Sequence, residues 1–289
     1  MAWPAWLFFI GFFLIPVAVI VVISFGYKPD IFSTYALGNW SFDNYRTAFD
    51  PVYAPTLTNT LRVALIGTFI CLIIALPFSY WLAVRVNPRW RGLLLGLVLV
   101  PFWTNFLVRT IGWQLIISPN GFASDFMQNV GLIDQPLELL YTRGAVQLGV
   151  VYNYLPLMIL PLFVAFDRLD PAMREASKDL GANRFKTFTQ VSLPLAMPGI
   201  VAGMLLVFIP LMGDYITAEV LGGAKGNMLG QLVAVWFGSG QNWPVGSATA
   251  VLLMALILLT VGVFGALGLI LRSILRARRR VEIVVKESA

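Results

Sequence analysis

Two ionisable side chains, Asp214 and Arg109, stand inside otherwise apolar stretches of this sequence. Each costs roughly 2.5–3.5 kcal/mol to place at mid-bilayer on insertion scales, so each is a candidate for a transport path or an internal ion pair. Counted along straight helices, Asp214 lies about 26 Å from Met197 and Arg109 about 27 Å from Arg91, which predicts similar depths toward the outer face. Two readings are open at this point. In one, Arg109 and Asp214 form an ion pair that joins two helices and touches no substrate. In the other, Asp214 faces a cavity and attracts an ammonium group, with Trp103 offering an aromatic face for cation stacking. Asn105, Tyr215 and Glu219 add polar groups along the same route, Glu219 equally as an outer contact for a docking protein. Pro210 and Gly213, just before Asp214, predict a kink that frees backbone carbonyls toward the path.

Other chemistries lack their groups. The chain has no histidine, a single cysteine (Cys71) within an apolar run, and no gathered carboxylates. Zinc sites, disulfide frameworks and histidine acid–base catalysis are therefore disfavoured. The glycine-rich stretch Gly222 to Gly230 has no Lys-Ser/Thr ending, so it is not a phosphate-binding loop. The sequence reads as that of a non-enzyme with no cofactor of its own.

The elements that must position Asp214 and Arg109 follow from composition. Hydrophobic residues make up 58% and charged residues 12% of the 289, against norms of roughly 45–50% and 25%. The apolar residues gather in blocks near 3–25, 63–84, 92–116, 145–166, 197–218 and 247–271. Each block is long enough as a helix to cross about 30 Å of hydrocarbon. Continuous blocks without alternation choose helices over a barrel. The fold class is thus all-α, a polytopic membrane protein with six transmembrane helices. The first block, Trp3 to Phe25, has no basic n-region and exceeds a signal-peptide core in length, and is read as a retained span.

The charges set the orientation. Arg85, Arg89 and Arg91, then Arg168, Arg174, Lys178, Arg184 and Lys186, then Arg272, Arg276, Arg278, Arg279, Arg280 and Lys286 account for fourteen of the twenty Lys and Arg. By the positive-inside rule these segments are cytoplasmic, and so are both termini. Basic residues confined between apolar blocks argue against nucleic acid as a partner; the Arg276 to Arg280 run reads as a topology anchor against anionic membrane lipid.

The segment 170–194 is the inner loop long enough to hold structure. Asp170 is a suitable N-cap with Pro171 at the first helical position, and Gly181 stands where a left-handed C-terminal cap belongs. Ala172, Met173, Ala176 and Leu180 form one face of the helix. Asn183 caps a second helix, with Phe185, Phe188 and Val191 on one side, ending at Leu193 and Pro194. The first face is too narrow and alanine-rich for stable lipid binding and suits a groove on another protein.

Glu175-Ala176-Ser177, three residues, Gly181, nine residues, and Val191-Ser192-Leu193-Pro194 resemble the EAA-x3-G-x9-I-x-LP signature of ABC importer permeases. Ser177 and Val191 depart from it by small changes of size. Over the whole chain the sequence resembles the spermidine/putrescine permeases of type I importers, nearest the first permease of that heteromeric pair. Supporting stretches are Asn39 to Phe49, Val100 to Arg109, Tyr154 to Leu162, Gly213 to Gly223 and Asn242 to Ala248. The resemblance implies a bacterial inner-membrane protein that pairs with a second homologous permease and receives solute from an extracytoplasmic binding protein. It also implies a dimeric cytoplasmic ATPase that binds the ATP and Mg and docks on Glu175, Ala176, Ser177, Gly181, Val191, Leu193 and Pro194. The implied cargo is a polyamine or a related amine-bearing solute; an opine or an amino-acid derivative is the alternative. An ion-coupled secondary transporter is the rival from another class, disfavoured because the first, second, fourth and sixth blocks carry no charge at their centres.

Overall fold

A computed structural model describes residues 3–51, 53–223 and 226–287, with side chains described as far as residue 266. Its helices in chain order are α1 (Trp3–Ile23), α2 (Asp43–Ala48), α3 (Ala54–Val84), α4 (Pro88–Trp103), α5 (Phe106–Ile117), α6 (Phe122–Asn129), α7 (Arg143–Asp167), α8 (Pro171–Asp179), α9 (Arg184–Leu195), α10 (Met197–Met212), α11 (Leu229–Phe237) and α12 (Trp243–Glu287). The described backbone is helical apart from loops and one isolated bridge between Tyr27 and Ala36. The Arg276 to Arg280 side chains lie outside the described part. Among the described residues four helices are long and apolar enough to cross a membrane, or up to six if each of two bent pairs is one span.

The core is the seam between α3, α7 and α10, where Cys71, Ala75, Val150, Met158, Leu162, Val207 and Leu211 are buried. Lipid tails are as apolar as these side chains, so close backbone approach has to supply much of the attraction. Gly199 and Gly203, one helical turn apart on α10, provide it. A Cβ on Gly199 would lie 2.3 Å from the Ala165 Cβ, and one on Gly203 would lie 2.9 Å from the Met158 sulfur and from Leu162. Buried hydrogen bonds add to the seam, with Ser79 Oγ donating to the Ile159 carbonyl at 3.2 Å. At the charged end Arg91 meets Asp167 at 2.6 Å and joins α4 to α7. By contrast α1 is exposed along almost its whole length, with Phe8 stacked on Phe12 and Phe9 on Phe13.

The helices depart from the apolar blocks in five places, one being α12, which runs on past the expected 271 to Glu287. α3 starts at Ala54, well before the expected 63, because its first turns hide polar Thr56, Asn59 and Thr60 inside the protein. The expected continuous run 92–116 is two helices, Pro88–Trp103 and then Phe106 onward, bent by 88°. Thr104 and Asn105 are extended there, and Asn105 Oδ1 accepts from the Leu107 amide at 2.8 Å, starting a new helix inside an apolar stretch. A straight-helix depth for Arg109 therefore does not hold. The run 197–218 likewise stops at Met212; Gly213 and Asp214 are non-helical, and the chain re-forms a π-helical turn over Ala218–Gly222. Finally α11 lies in what reads as an outer loop, packed between α12 and the start of α3.

Candidate functional site

The break after α10 creates the site around Asp214. Pro210 and Gly213 weaken the helix, and the Asp214 carboxylate then restarts it, Oδ1 accepting from the Thr217 amide at 3.0 Å in an N-cap arrangement. The residue is only 5% exposed, and Oδ2 is buried with no hydrogen-bond partner. Tyr154 of α7, itself buried, lies beside the same carboxylate without completing a hydrogen bond of regular geometry to Oδ2. A buried carboxylate with one free oxygen is an acceptor in want of a donor.

Arg109 stands on α5. Its guanidinium lies over the rings of Phe102 and Phe106 at 5.3 and 5.6 Å, and its Nε is buried without a hydrogen-bond partner. The ion pairs among the described residues are Arg46 with Asp43 and Arg91 with Asp167; none joins Arg109 to Asp214. The Tyr154 ring lies 6.0 Å from that of Phe106, the same ring that the Arg109 guanidinium covers. One residue earlier, Asn153 Nδ2 donates to Thr110 Oγ1 at 3.1 Å, leaving Asn153 Oδ1 buried and unpaired, as is Thr217 Oγ1. Arg109, Thr110, Asn153, Tyr154, Asp214 and Thr217 thus form a polar layer where two broken helices meet α7.

The other predicted pathway residues stand apart from this layer. Trp103 closes α4 at the break and is 81% exposed. Asn105 Oδ1 is occupied by helix capping. Tyr215 is exposed beside Asp214, and Glu219 is exposed in the π-helical turn. Tyr154, Asn153, Thr110 and Thr217 are not candidates from sequence, although Asn153-Tyr154 is a polar pair inside the apolar block 145–166. That pair was the available signal.

A strap holds the break. Asn59 Nδ2 donates to the Asn227 carbonyl at 2.7 Å, and the Leu229 amide donates to Thr60 Oγ1 at 2.8 Å. Both bonds fasten the start of α11 to α3. Gly230 then abuts the break itself, where an added Cβ would stand 2.4 Å from the Gly213 carbonyl oxygen. The buried polar residues that begin α3 are thus the anchors of a segment lying directly on Gly213.

The second site is the segment 170–194, and its local chemistry follows the sequence closely. Asp170 accepts from the Ala172 amide at 2.9 Å, Asn183 from the Lys186 amide at 2.8 Å, and Gly181 has φ +82°. The Ala182 amide reaches back to the Ser177 carbonyl at 3.1 Å, satisfying the end of α8. Ala176 is exposed together with Met173, Leu180 (89% exposed) and Phe185 (73% exposed) on an uncovered surface, while Glu175, also exposed, lies on the side of α8 toward the end of α3. Phe185 and Phe188 do not share a face as expected. Phe188 turns inward against Tyr80 at 4.8 Å and Phe166 at 6.4 Å, while Phe185 points away. The Ser177 and Thr187 hydroxyls meet at 3.2 Å and join α8 to α9. Val191, Leu193 and Pro194 lead into a 67° bend between α9 and α10. Through that bend the segment leads directly into the helix that ends at Met212, two residues before Asp214.

An all-helical bundle with broken helices and a projecting two-helix segment is the permease fold of ABC importers. Among solved structures the chain is similar to a subunit of the bacterial alginate ABC transporter in complex with alginate pentasaccharide-bound periplasmic protein, with TM-score 0.70 and 15% identity covering 90% of both chains. It is also similar to a chain of the MetNI methionine ABC transporter in an inward-facing conformation, with TM-score 0.54 and 21% identity over 73% of this chain and 92% of that one. Residues 75–281 match the family described as the binding-protein-dependent transport system inner membrane component, and the chain belongs to that family. It is a multi-pass inner-membrane transport subunit and not an enzyme. Its relatives include the spermidine/putrescine transport system permease protein PotB of Haemophilus influenzae, 41% identical over 90% of this chain and 89% of the relative. The Escherichia coli PotB is 38% identical over 84% of this chain and 87% of the relative. The Escherichia coli inner membrane ABC transporter permease protein YdcU is 31% identical over 84% and 80%.

Proposed function

We propose that this chain is one half of a heteromeric pore that imports spermidine or putrescine, made with a second homologous permease. Six spans with both termini cytoplasmic place Asp214 toward the outer half of the path and the segment 170–194 inside. An extracytoplasmic binding protein delivers the polyamine; a dimeric ATPase, holding ATP and Mg, docks on Glu175, Ala176, Ser177 and Gly181 and drives α10 through Val191, Leu193 and Pro194. The observation that carries a cationic cargo is Asp214 Oδ2, a buried carboxylate oxygen without a donor, in a chain 41% identical to a spermidine/putrescine permease. An ammonium group has three donors and one charge and answers that need directly. Trp103, Tyr215 and Glu219, exposed near the two breaks, offer stacking and acidic contacts on the way to it. The four long helices and the bent pair of α4 and α5 support five of these spans, and α10, beyond its bend with α9, supplies the sixth.

In operation, closure of the ATPase moves α8 and α9, and the 67° joint transmits the movement to α10. The break at Gly213 then shifts against Gly230 and the strap fastened to Asn59 and Thr60. Asp214, being the cap of the restarted turn, moves with that break, so the affinity of its free oxygen is tied to the state of the gate. The test is ATP hydrolysis by the reconstituted complex with its binding protein across a panel of amines and amino-acid derivatives. Putrescine and spermidine are expected to stimulate it; stimulation by another solute with none by either polyamine overturns the cargo assignment.

A further inference from the structure

A cavity of about 340 Å³ lies between the end of α3 and the segment 170–194, on the side of α8 away from its uncovered apolar surface. It is lined by Arg85, Arg174, Lys178 and Arg184, by one carboxylate, Glu175, and by Tyr80, Val84, Pro171 and Thr187. Four cations against one anion leave the lining strongly positive. Among the described residues none of these five charged groups takes part in an ion pair, Glu175 included. Like charges gathered without counter-charges repel one another, and a bound anion relieves that repulsion.

The position of the cavity selects the anion. Tyr80 and Val84 belong to the last turns of α3, and Arg85 is its cap. From Tyr80 to Arg85 the helix rises only about 7.5 Å, so an apolar wall passes into a basic rim over the depth at which acyl chains meet phosphates. Basic pockets at the cytoplasmic ends of membrane helices have the chemistry that holds phospholipid headgroups. A free phosphate uses the rim alone; a phospholipid uses the wall as well.

We propose that this cavity binds the phosphate of an anionic inner-leaflet lipid and that the lipid braces α8 against α3. The arrangement rests on the cytoplasmic orientation proposed above. Tyr80 already packs on Phe188 and Phe166, and Ser177 on Thr187, so α8 is tied to the bundle through α9 but open toward α3. A headgroup bridging Arg85 on α3 with Arg174 and Lys178 on α8 closes that gap. The segment that carries movement from the ATPase then depends for its stiffness on membrane composition.

The test is retention of lipid by the intact transporter complex, measured by native mass spectrometry after titration with phosphatidylglycerol or with phosphatidylcholine. It reads neither transport nor amine, so its failure is distinct from failure of the cargo assignment. The complex is expected to retain phosphatidylglycerol preferentially. The double variant Arg85→Gln, Arg184→Gln is expected to bind it about thirtyfold more weakly, at the usual contribution of a surface cation. Arg85→Lys with Arg184→Lys, which keeps the charge, is expected to preserve the preference and serves as the folding control. Equal retention of the two lipids, or an unchanged preference in the Gln variant, overturns the proposal. Displacement of the lipid by millimolar inorganic phosphate overturns it in favour of a free-anion site. Retention by the isolated permease that vanishes in the complex overturns it in favour of a surface covered by the ATPase.

Discussion

Replacing Asp214 by asparagine separates the charge of this residue from its structural work. The wild-type carboxylate does two things: Oδ1 caps the restarted turn through the Thr217 amide, and Oδ2 is buried without a partner. Asparagine caps as well as aspartate does, so the turn loses a few tenths of a kcal/mol at most. It also relieves a buried, unpaired charge, and the complex is expected to assemble with undiminished stability. What it loses is a charge-assisted hydrogen bond to an ammonium group, worth about 1.5–3 kcal/mol. That corresponds to a roughly ten- to hundredfold rise in the polyamine concentration giving half-maximal stimulation. Asp214→Ala is the contrast, because it removes the cap and leaves the Thr217 amide unsatisfied at about 1–2 kcal/mol. The assay is a titration of binding-protein-stimulated ATP hydrolysis in nanodiscs, with thermal unfolding of each complex alongside. Unchanged half-saturation in Asp214→Asn would show that the carboxylate does not meet the amine. So would a loss of assembly equal to that of Asp214→Ala, which returns the residue to a purely structural role.

Three further outcomes follow from the geometry. Tyr154→Phe removes the hydroxyl beside the Asp214 carboxylate and is expected to change polyamine half-saturation less than tenfold, with assembly intact; a titration identical to wild type removes Tyr154 from the site. Gly181→Ala forces a side chain into φ +82° and is expected to cost about 1 kcal/mol at the end of α8, weakening ATPase association in a pull-down while membrane insertion stays normal. Gly203→Leu drives a side chain into Met158 and Leu162 and is expected to lower stability by about 1–3 kcal/mol or more, read as reduced thermal stability with unaltered amine selectivity in what remains folded.

The segment 170–194 was legible because its determinants are local. Asp170, Pro171, Gly181 and Asn183 each act within a few residues of themselves, and the structure finds every cap where the side chain types put it. The bend in the third apolar block is hidden for the opposite reason. Averaged over a window, 92–116 is uniformly apolar, and the average hides one capping side chain, Asn105, together with Pro101 three residues before Thr104. The early start of α3 lies outside the apolar block because Thr56, Asn59 and Thr60 are polar, and the partners that Asn59 and Thr60 hold are about 170 residues away in the chain. Asp214 and Arg109 stood out by their cost in an apolar environment. Their neighbours Tyr154, Thr110 and Asn153 cost little alone and acquire meaning when α5 and α7 are brought against the break in α10.

Inward movement of a polyamine through this chain, on energy supplied by a separate ATPase, can be followed in a closed vesicle. Proteoliposomes containing both permeases and the ATPase, with ATP enclosed and binding protein with labelled putrescine or spermidine outside, measure it directly. The expected result is accumulation that requires both enclosed ATP and external binding protein and that falls in Asp214→Asn. Uptake driven by an ion gradient without ATP, or hydrolysis with no labelled polyamine entering, contradicts it.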